Sequence, residues 1–175
     1  MAKSCVITGD KPTRFKFGYK EDYSLCKKLK RTMKEQIMML YDKGVTCFFV
    51  GGSLGVDIWA GEIILRLKEQ PGYEGIELAV VVPYKGHDIN WDERSQKRLN
   101  FLIKHSKEYI IAGDRNCQES YWKRNRYMVD QVDYFMAVCD MDMEKPTDIG
   151  KMLSYARKRK RHIIFIHPDT TEICS

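Results

Sequence analysis

The chain has 175 residues, of which 43% are hydrophobic and 31% are charged, and its formal net charge is +6 with a pI near 8.9. This length fits one compact domain, and the composition is that of globular proteins rather than disordered or fibrous ones. The apolar runs are far shorter than the roughly 20 residues needed to span a bilayer, so we expect no membrane segment.

Short apolar runs alternate along the chain with longer segments of helical period, which is typical of a parallel sheet covered on both faces. Six strands are predicted, at Cys5–Thr8, Val45–Val50, Ile76–Val82, Tyr109–Ala112, Tyr134–Cys139 and Ile163–Ile166. Five helices are predicted between them, at about Leu25–Leu40, from the glycine loop to Leu67, and at Asn90–His105, Glu119–Gln131 and Ile149–Arg161. We therefore expect a single α/β domain with a doubly wound, mostly parallel sheet of about six strands and helices on both faces. In such sheets, ligands bind in the crevice beyond the carboxyl ends of the strands.

The positive charge favours an anionic partner, such as a nucleotide, a nucleic acid or an acidic protein surface. Part of it lies in the basic run 157–161, at the end of the fifth predicted helix, where cations complement the helix dipole. We prefer this structural role to nucleic-acid binding. The first residues lack the pattern of a signal peptide, so we expect a cytoplasmic protein. The six cysteines include no C-x-x-C pair, so we expect reduced thiols and no metal site.

A glycine loop, Gly51-Gly52-Ser53-Leu54-Gly55, follows the second predicted strand and opens a helix. Glycines let a ligand approach the backbone, and the first N–H groups of a helix are unpaired, so the loop is a candidate phosphate site. The alternative is a tight turn in which the last glycine permits close packing and Ser53 caps the helix. We favour phosphate binding, because strand, glycines and helix coincide.

Asp57 lies in the first turn of the helix that the glycine loop opens. The helix dipole stabilises a carboxylate there, which is a purely structural role. A carboxylate aimed into the pocket would repel phosphate, so a functional Asp57 would instead accept hydrogen bonds from ribose hydroxyls. Both interpretations remain open.

The segment after the first predicted strand could contribute Thr8 and Gly9 as hydrogen-bonding groups and Lys11 as a counter-charge to phosphate. The alternative is a plain turn set by glycine and proline. Two aromatic residues that follow, Phe15 and Phe17, could stack on a base or cover the sheet edge.

The segment after the third predicted strand offers Pro83, Tyr84 and His87, and Trp91 follows it. Tyr84 or Trp91 could stack on a base. His87 could serve in acid–base chemistry, although a single loop histidine is more often a solvated residue.

The fourth predicted helix carries Arg124 and Asn125, which could reach phosphate or ribose. No spacing in the sequence establishes a Ser-His-Asp arrangement, a zinc site or a two-carboxylate hydrolase. The residues therefore favour binding over catalysis.

Four segments in order resemble the YpsA-like family of the SLOG superfamily, which is related to DprA and LOG proteins. They are Ile7–Pro12, Gly51–Glu62, Val82–Tyr84 and Arg124–Asp130, and the resemblance spans about residues 5–167. It implies a Rossmann-like sheet whose glycine loops bind nucleotides or nucleotide-derived ligands. Matched by position, the family's ligand pocket would include Thr8, Gly9, Gly51, Gly52, Gly55, Asp57, Arg124 and Asn125.

Two segments depart from the family pattern. Asp10 and Lys11 stand where the family usually has His and Arg. The second glycine loop of the family commonly contains Gly-Gly-Thr, but residues 145–150 read Lys-Pro-Thr-Asp-Ile-Gly and leave Thr147 and Gly150 as candidates. This segment also lacks the Pro-Gly-Gly-x-Gly-Thr-x-x-Glu motif of LOG phosphoribohydrolases, so that activity is not expected.

The resulting hypothesis is a cytoplasmic sensor, sequesterer or adaptor that binds a small nucleotide-derived ligand, such as ADP-ribose, an NAD fragment or a cyclic signal. No resident cofactor is expected besides this ligand, and related folds suggest a homodimer. One alternative is an N-glycosidase or nucleotide hydrolase using Asp57, Glu62 or His87. Another is a DprA-like module that binds single-stranded nucleic acid.

Overall fold

The strands of a computed structural model, which describes residues 2–140 and 147–175, form one sheet. Six of them lie where the sequence predicts strands, with ends that differ by at most two residues. The bounds are β1 Lys3–Gly9, β2 Val45–Val50, β3 Glu77–Val82, β4 Glu108–Ile111, β5 Tyr134–Val138, β6 His162–Ile166 and β7 Ile173–Cys174.

In the part of the chain that the structure describes, five α-helices connect the strands, at α1 Ser24–Asp42, α2 Val56–Lys68, α3 Glu93–His105, α4 Gln118–Gln131 and α5 Asp148–Lys158. The third begins three residues later than its periodicity suggests, because Asp92 caps it by accepting from the Ser95 N–H at 3.1 Å. The fifth ends before the basic run is complete, and Lys160 adopts a positive φ. None of the helices in the described ranges has the length and apolarity needed to cross a bilayer.

The strand order is β4-β3-β2-β1-β5-β6-β7, and all pairs except β6 with β7 are parallel. The chain builds outward from β1 through β2, β3 and β4, then returns to the other side of β1 with β5. The switch point of the sheet therefore lies between β1 and β5, where open α/β sheets bind ligands.

Helices cover both faces of the sheet, which confirms the doubly wound architecture. Alternate residues of β1 face opposite layers: Ile7 packs with α1, α2 and α3, whereas Val6 packs with α4 and α5. Both are fully buried, as central strands of a doubly covered sheet require.

The seventh strand, β7, was not predicted. It has only two residues, pairs antiparallel with β6, and both of its side chains are exposed. A segment this short has no hydrophobic periodicity from which a strand could be recognised.

Candidate functional site

An open cleft of about 1080 Å³ lies at the carboxyl ends of the strands, beside the switch point. Its wall combines the segments after β1 and β2, the start of α4 and the start of α5. Ten of the sixteen candidate ligand-binding residues line it: Thr8, Gly9, Lys11, Ser53, Leu54, Asp57, Trp91, Arg124, Asn125 and Thr147. His87, the candidate for acid–base chemistry, lines it too.

Six other candidates do not line the cleft but lie behind or beside its wall. These are Gly51, Gly52, Gly55, Pro83, Tyr84 and Gly150. The Pro83 carbonyl accepts a hydrogen bond from the Gly113 N–H at 2.8 Å, and the contacts of the others are described below.

The glycine loop requires glycine mainly for its own conformation and packing. Gly52 and Gly55 have φ of 70° and 89°, values that favour glycine. A Cβ on Gly51 would lie 3.0 Å from Asp57 Oδ2 and 3.2 Å from the Arg124 guanidinium carbon. The cap of α2 is Gly55, without a side-chain hydrogen bond, so Ser53 does not cap this helix.

The loops after β1 and β2 pack directly against each other. A Cβ on Gly55 would lie 3.0 Å from Pro12 Cγ, and one on Gly9 would collide with the Val56 side chain. These glycines therefore allow the two loops to come into contact.

Asp57 occupies part of the surface that the glycine loop offers to an anion. Its Oδ2 accepts from the Ser53 N–H at 3.1 Å, and its residue is 7% exposed. Burial raises the pKa of Asp57 to about 6, although Arg124 and the Ser53 and Gly51 backbone N–H groups act to lower it. The Asp57 carboxylate therefore lies in the cleft wall and is held there by the glycine loop.

Arg124 crosses from α4 to the glycine loop and is 8% exposed. Its Nη1 donates to the Gly51 carbonyl at 3.0 Å and to Ser53 Oγ at 3.2 Å, and its Nε donates to Asn125 Oδ1 at 3.1 Å. Burial lowers the pKa of Arg124 and Asp57 raises it, but a guanidinium remains charged at neutral pH. This arginine thus fixes the relative position of α4, the loop and the Asn125 amide.

Aromatic side chains form another wall of the cleft. Arg124 lies 5.2 Å from the Tyr121 ring centroid, and the Trp91 ring packs edge-on to His87 at 5.3 Å. Tyr84 lies behind this wall, with its ring 6.0 Å from Tyr121 and 6.3 Å from His87. Tyr121 and Trp91 line the cleft, whereas Tyr84 does not line it and contacts Tyr121 and His87.

His87 is tied to the glycine loop, since its Nε2 donates to the Gly52 carbonyl at 2.8 Å. Burial lowers the pKa of His87, with the Gly52 carbonyl and Asp88 acting in the opposite direction. A neutral imidazole at physiological pH follows, with Nδ1 left as the acceptor.

The start of α5 contributes Thr147, Asp148 and Ile149 to the lining of the cleft. Thr147 caps this helix, with its Oγ1 accepting from the Gly150 N–H at 3.0 Å. Lys145 and Pro146 of the second predicted glycine loop lie outside the described residues.

The rim of the cleft carries a network of charged side chains around Arg14, which lines the cleft and pairs with Asp140 and Asp169. Together with His167, these two acids place possible ligand atoms within 4.8 Å of one another. Both carboxylates are already bound to the guanidinium, and His167 Nδ1 accepts from the Asp169 N–H at 3.1 Å. The arrangement fits an ion-pair network better than a metal site.

The charges lining the cleft are balanced, although the whole chain is basic. Among the described residues of the lining, three are cationic and three acidic: Lys11, Arg14, Arg124, Asp10, Asp57 and Asp148. The surplus positive charge of the chain therefore lies elsewhere on the surface.

Other residues singled out from the sequence lie away from the cleft. Phe15 and Phe17 are buried against Trp59, so they cover the sheet rather than stack on a ligand. Glu62 pairs with Arg98 at 2.6 Å, also outside the cleft.

Sequence reasoning missed Tyr121 and the segment Asn116–Gln118, which line the cleft. Helical spacing could have identified Tyr121, because residues three and four apart share one face and Arg124 and Asn125 follow at those distances. Nothing in the local sequence marks Asn116, whose position depends on the path between β4 and α4.

Known proteins with similar sequences and structures agree with this fold. The model of the YpsA family, described as the YspA SLOG family, matches residues 5–171. UPF0398 proteins from Staphylococcus aureus strains JH9 and JH1 are each 29% identical over 156 residues, covering 87% of this chain and 81% of theirs.

A solved structure of DNA processing protein A from Helicobacter pylori, which has a single-stranded DNA binding mode, superimposes with a TM-score of 0.61. Its sequence identity is 16%, and the match covers 94% of this chain but only 65% of that one, so it shows a shared fold. Because the family model covers nearly the whole sequence, the chain belongs to the YpsA family of SLOG proteins.

Proposed function

We propose that the cleft binds a small nucleotide-derived ligand, and that the protein acts as a sensor, sequesterer or adaptor rather than through turnover. The observation that carries the proposal is the group of buried polar side chains, Asp57, Arg124 and Asn125, that converges on a cleft at the switch point of the sheet. Clefts that combine apolar walls with a few fixed polar groups are the usual form of small-molecule sites.

The chemistry of the walls suits a nucleoside. Tyr121 and Trp91 provide aromatic surface for a base, and Asn125 and Asp57 provide a donor and an acceptor for hydroxyl groups. Lys11 at the rim is exposed and can meet a phosphate in solvent. The balanced charge favours a small ligand with one or two phosphates over a polyanion.

Isothermal calorimetry against AMP, ADP, ADP-ribose, NAD and cyclic dinucleotides tests the proposal. We expect one member to bind wild-type protein, and Asn125→Ala to weaken that binding at least tenfold. Asn100→Ala, which alters an exposed residue of α3, is the matched control and should bind as wild type does. Absence of binding by wild type at millimolar concentrations of every member would reject the proposal.

Turnover of a nucleotide is the alternative function of the same cleft, because Asp57 and His87 both line it. Chromatography of each nucleotide after incubation would detect base release or hydrolysis. If wild type forms products and Asp57→Ala does not, the protein is an N-glycosidase or hydrolase and the binding proposal is wrong. If wild type leaves every nucleotide intact, the result supports binding without turnover.

Binding of single-stranded nucleic acid is the second candidate, and the fold shared with DNA processing protein A favours it. The balanced charge of the cleft argues against it, since nucleic-acid sites neutralise phosphates with lysine and arginine. Fluorescence anisotropy with oligothymidylate at increasing salt separates the two. Tight binding that weakens steeply with salt would support this candidate, and no binding at low salt would reject it.

We also propose that the protein is a cytoplasmic homodimer. The edge strand β4 supports self-association, because Tyr109 and Ile111 on it are each 43% exposed. The cysteines of the chain are all free thiols, as expected in a reducing compartment. Analytical ultracentrifugation of wild type and Ile111→Lys tests the dimer, and cell fractionation tests the location.

A further inference from the structure

Asp57 takes the place that a bound anion would occupy at the glycine loop. Its Oδ2 accepts from the Ser53 N–H at 3.1 Å, so this donor of the loop is already used by the protein itself. The Gly51 backbone N–H also stabilises the carboxylate. A phosphate bound to the same donors would have to displace a side chain that is almost completely buried.

The neighbouring cation, Arg124, keeps only its Nη2 without a partner among the described residues. Two nitrogens of Arg124 are committed, Nη1 to the Gly51 carbonyl and Ser53 Oγ, and Nε to Asn125 Oδ1. The guanidinium balances Asp57, and adding a phosphate would place two anions beside one cation at a site with little solvent.

The groups that remain available at this wall suit hydroxyls. Asn125 Oδ1 accepts a hydrogen bond from Arg124, so the Asn125 Nδ2 amide group is the part of the side chain that can still donate to a ligand. Nδ2 has no hydrogen-bond partner within residues 2–140 and 147–175. Asn125 is 5% exposed and lines the cleft. A carboxylate can accept about four hydrogen bonds, so Asp57 retains capacity beyond the loop N–H groups.

We propose that Asp57 is a built-in anion of the glycine loop, and that together with Asn125 it selects a vicinal diol of the ligand instead of a phosphate. One hydroxyl donates to Asp57 while the other accepts from Asn125 Nδ2, which is the hydrogen-bonding pattern of a ribose. The phosphate of the ligand then lies toward the rim, at Lys11. The diol assignment rests on the proposed nucleotide-binding function, whereas the role of Asp57 as internal anion does not.

Nuclear magnetic resonance tests the internal anion without any nucleotide. Inorganic phosphate titrated to tens of millimolar should leave the Gly51, Gly52 and Ser53 amide signals of wild type unmoved. In Asp57→Ala the same signals should shift with saturation, because the loop N–H donors become available and no carboxylate balances the charge of Arg124. Asp57→Asn keeps an acceptor for Ser53 and should show an intermediate response.

Either of two results would overturn the internal anion: saturable phosphate shifts of these amides in wild type, or no gain of binding in a folded Asp57→Ala. Thermal unfolding of each variant verifies folding. If Asp57→Ala does not fold, the phosphate titrations of wild type and Asp57→Asn still test the role of Asp57. Equal shifts of the loop amide signals in these two proteins would contradict that role.

Calorimetry with a sugar series tests the diol. Comparing ribose 5-phosphate with AMP shows whether the site needs the base as well as the sugar phosphate. Comparing AMP with 2′-deoxy-AMP and with 2′,3′-dideoxy-AMP shows how much each hydroxyl contributes to the affinity. We expect loss of one hydroxyl to weaken binding about tenfold, the cost of leaving buried partners unpaired. Equal binding of AMP and its dideoxy form would reject the diol. If neither AMP nor ribose 5-phosphate binds, the diol assignment fails for these probes, and the phosphate titration still decides the role of Asp57.

Discussion

Arg124 Nη1 donates to the Gly51 carbonyl at 3.0 Å and so joins two residues that are 73 positions apart in the chain. The bond connects α4, on one face of the sheet, to the loop that leads into α2 on the other. The cleft between these elements therefore has a wall fixed by a buried side chain, and its shape depends on that side chain.

Replacing Arg124 by Lys should destabilise the fold, because an ammonium cannot reproduce the three hydrogen bonds of the guanidinium. We expect a loss of about 1–2 kcal/mol in the free energy of unfolding, measured by urea denaturation. Arg126→Lys is the control on the same helix, since Arg126 is exposed and its contact is with the Tyr155 ring. Equal stability of the two variants would show that the buried contacts contribute little.

Gly9→Ala should be more destabilising than Gly61→Ala. The new Cβ at Gly9 collides with the β-branched Val56 and lies 3.0 Å from the Val138 carbonyl, neither of which can rotate away. At Gly61 it meets the end of the flexible Leu102 side chain, and alanine is favoured over glycine in a helix by about 1 kcal/mol.

Overpacking should therefore cost Gly9→Ala about 1–3 kcal/mol, and Gly61→Ala much less. Thermal unfolding followed by circular dichroism gives the comparison. A lower melting temperature for Gly61→Ala than for Gly9→Ala would contradict the packing of the two loops.

Asp57 should make stability depend on pH in a defined window. Its pKa is about 6 in the folded protein against an ordinary value of 3.8, so the native state binds more protons between these values and stability falls as pH rises through them. Asp57→Asn removes this dependence. The free energy of unfolding of the variant, relative to wild type, should rise by up to roughly 3 kcal/mol from about pH 4 to about pH 7.

Urea denaturation of wild type and Asp57→Asn at several pH values measures this difference. A difference between Asp57→Asn and wild type that stays constant with pH would mean that the carboxylate titrates normally.

Arg98 links three elements, because its guanidinium binds Glu21 at 2.6 and 2.9 Å and Glu62 at 2.6 and 3.1 Å. Arg98→Gln should lower the free energy of unfolding by about 1 kcal/mol, a modest value because the partners are partly exposed. Lys97→Gln breaks only an exposed pair with Glu93 and should have no measurable effect.

Acid should reduce the contribution of Arg98. Burial raises the pKa of Glu21, but hydrogen bonds from Arg98 and Lys30 outweigh it and bring the value to about 2, against an ordinary 4.5. The stabilisation is present above 4.5 and is lost as the pH falls toward 2. The difference between wild type and Arg98→Gln should therefore shrink in that range.

The cysteines should react with a thiol reagent at different rates in the folded protein. Cys174 is exposed, and hydrogen bonding with Ser120 lowers the pKa of the Cys117 thiol, so both should react rapidly. Burial raises the pKa of Cys5 far above its usual range and that of Cys139 to about 12, so these two should react only on unfolding. Ellman's reagent with and without denaturant measures the rates, and fast labelling of Cys5 in native protein would contradict its burial.

The order of strands and helices could be predicted from the sequence because hydrophobic periodicity is a local property. Val45–Val50 reads as a continuous apolar run because both of its faces are covered, and α1 shows its buried face at helical spacing. The short β7 could not be predicted, since only pairing with β6 makes it a strand.

Much of the candidate site could also be located from the sequence, because the carboxyl ends of parallel strands meet at one edge of the sheet. Ten predicted ligand-binding residues and His87 line the cleft, most of them in segments that follow strands. The sequence could not show that Trp91 lines the cleft and Tyr84 does not. That difference depends on how side chains of different elements pack together, and a local sequence pattern carries no such information.

The sequence by itself determined the doubly wound fold, the edge of the sheet where the cleft lies and the glycines of its loops, because these follow from periodicity and backbone conformation. Only the tertiary structure decided that Asp57 binds the loop N–H group of Ser53 and that Arg124 reaches the Gly51 carbonyl. Those contacts depend on burial and on the distance between elements far apart in the chain. They change the glycine loop from an open anion site into one that already holds its own carboxylate.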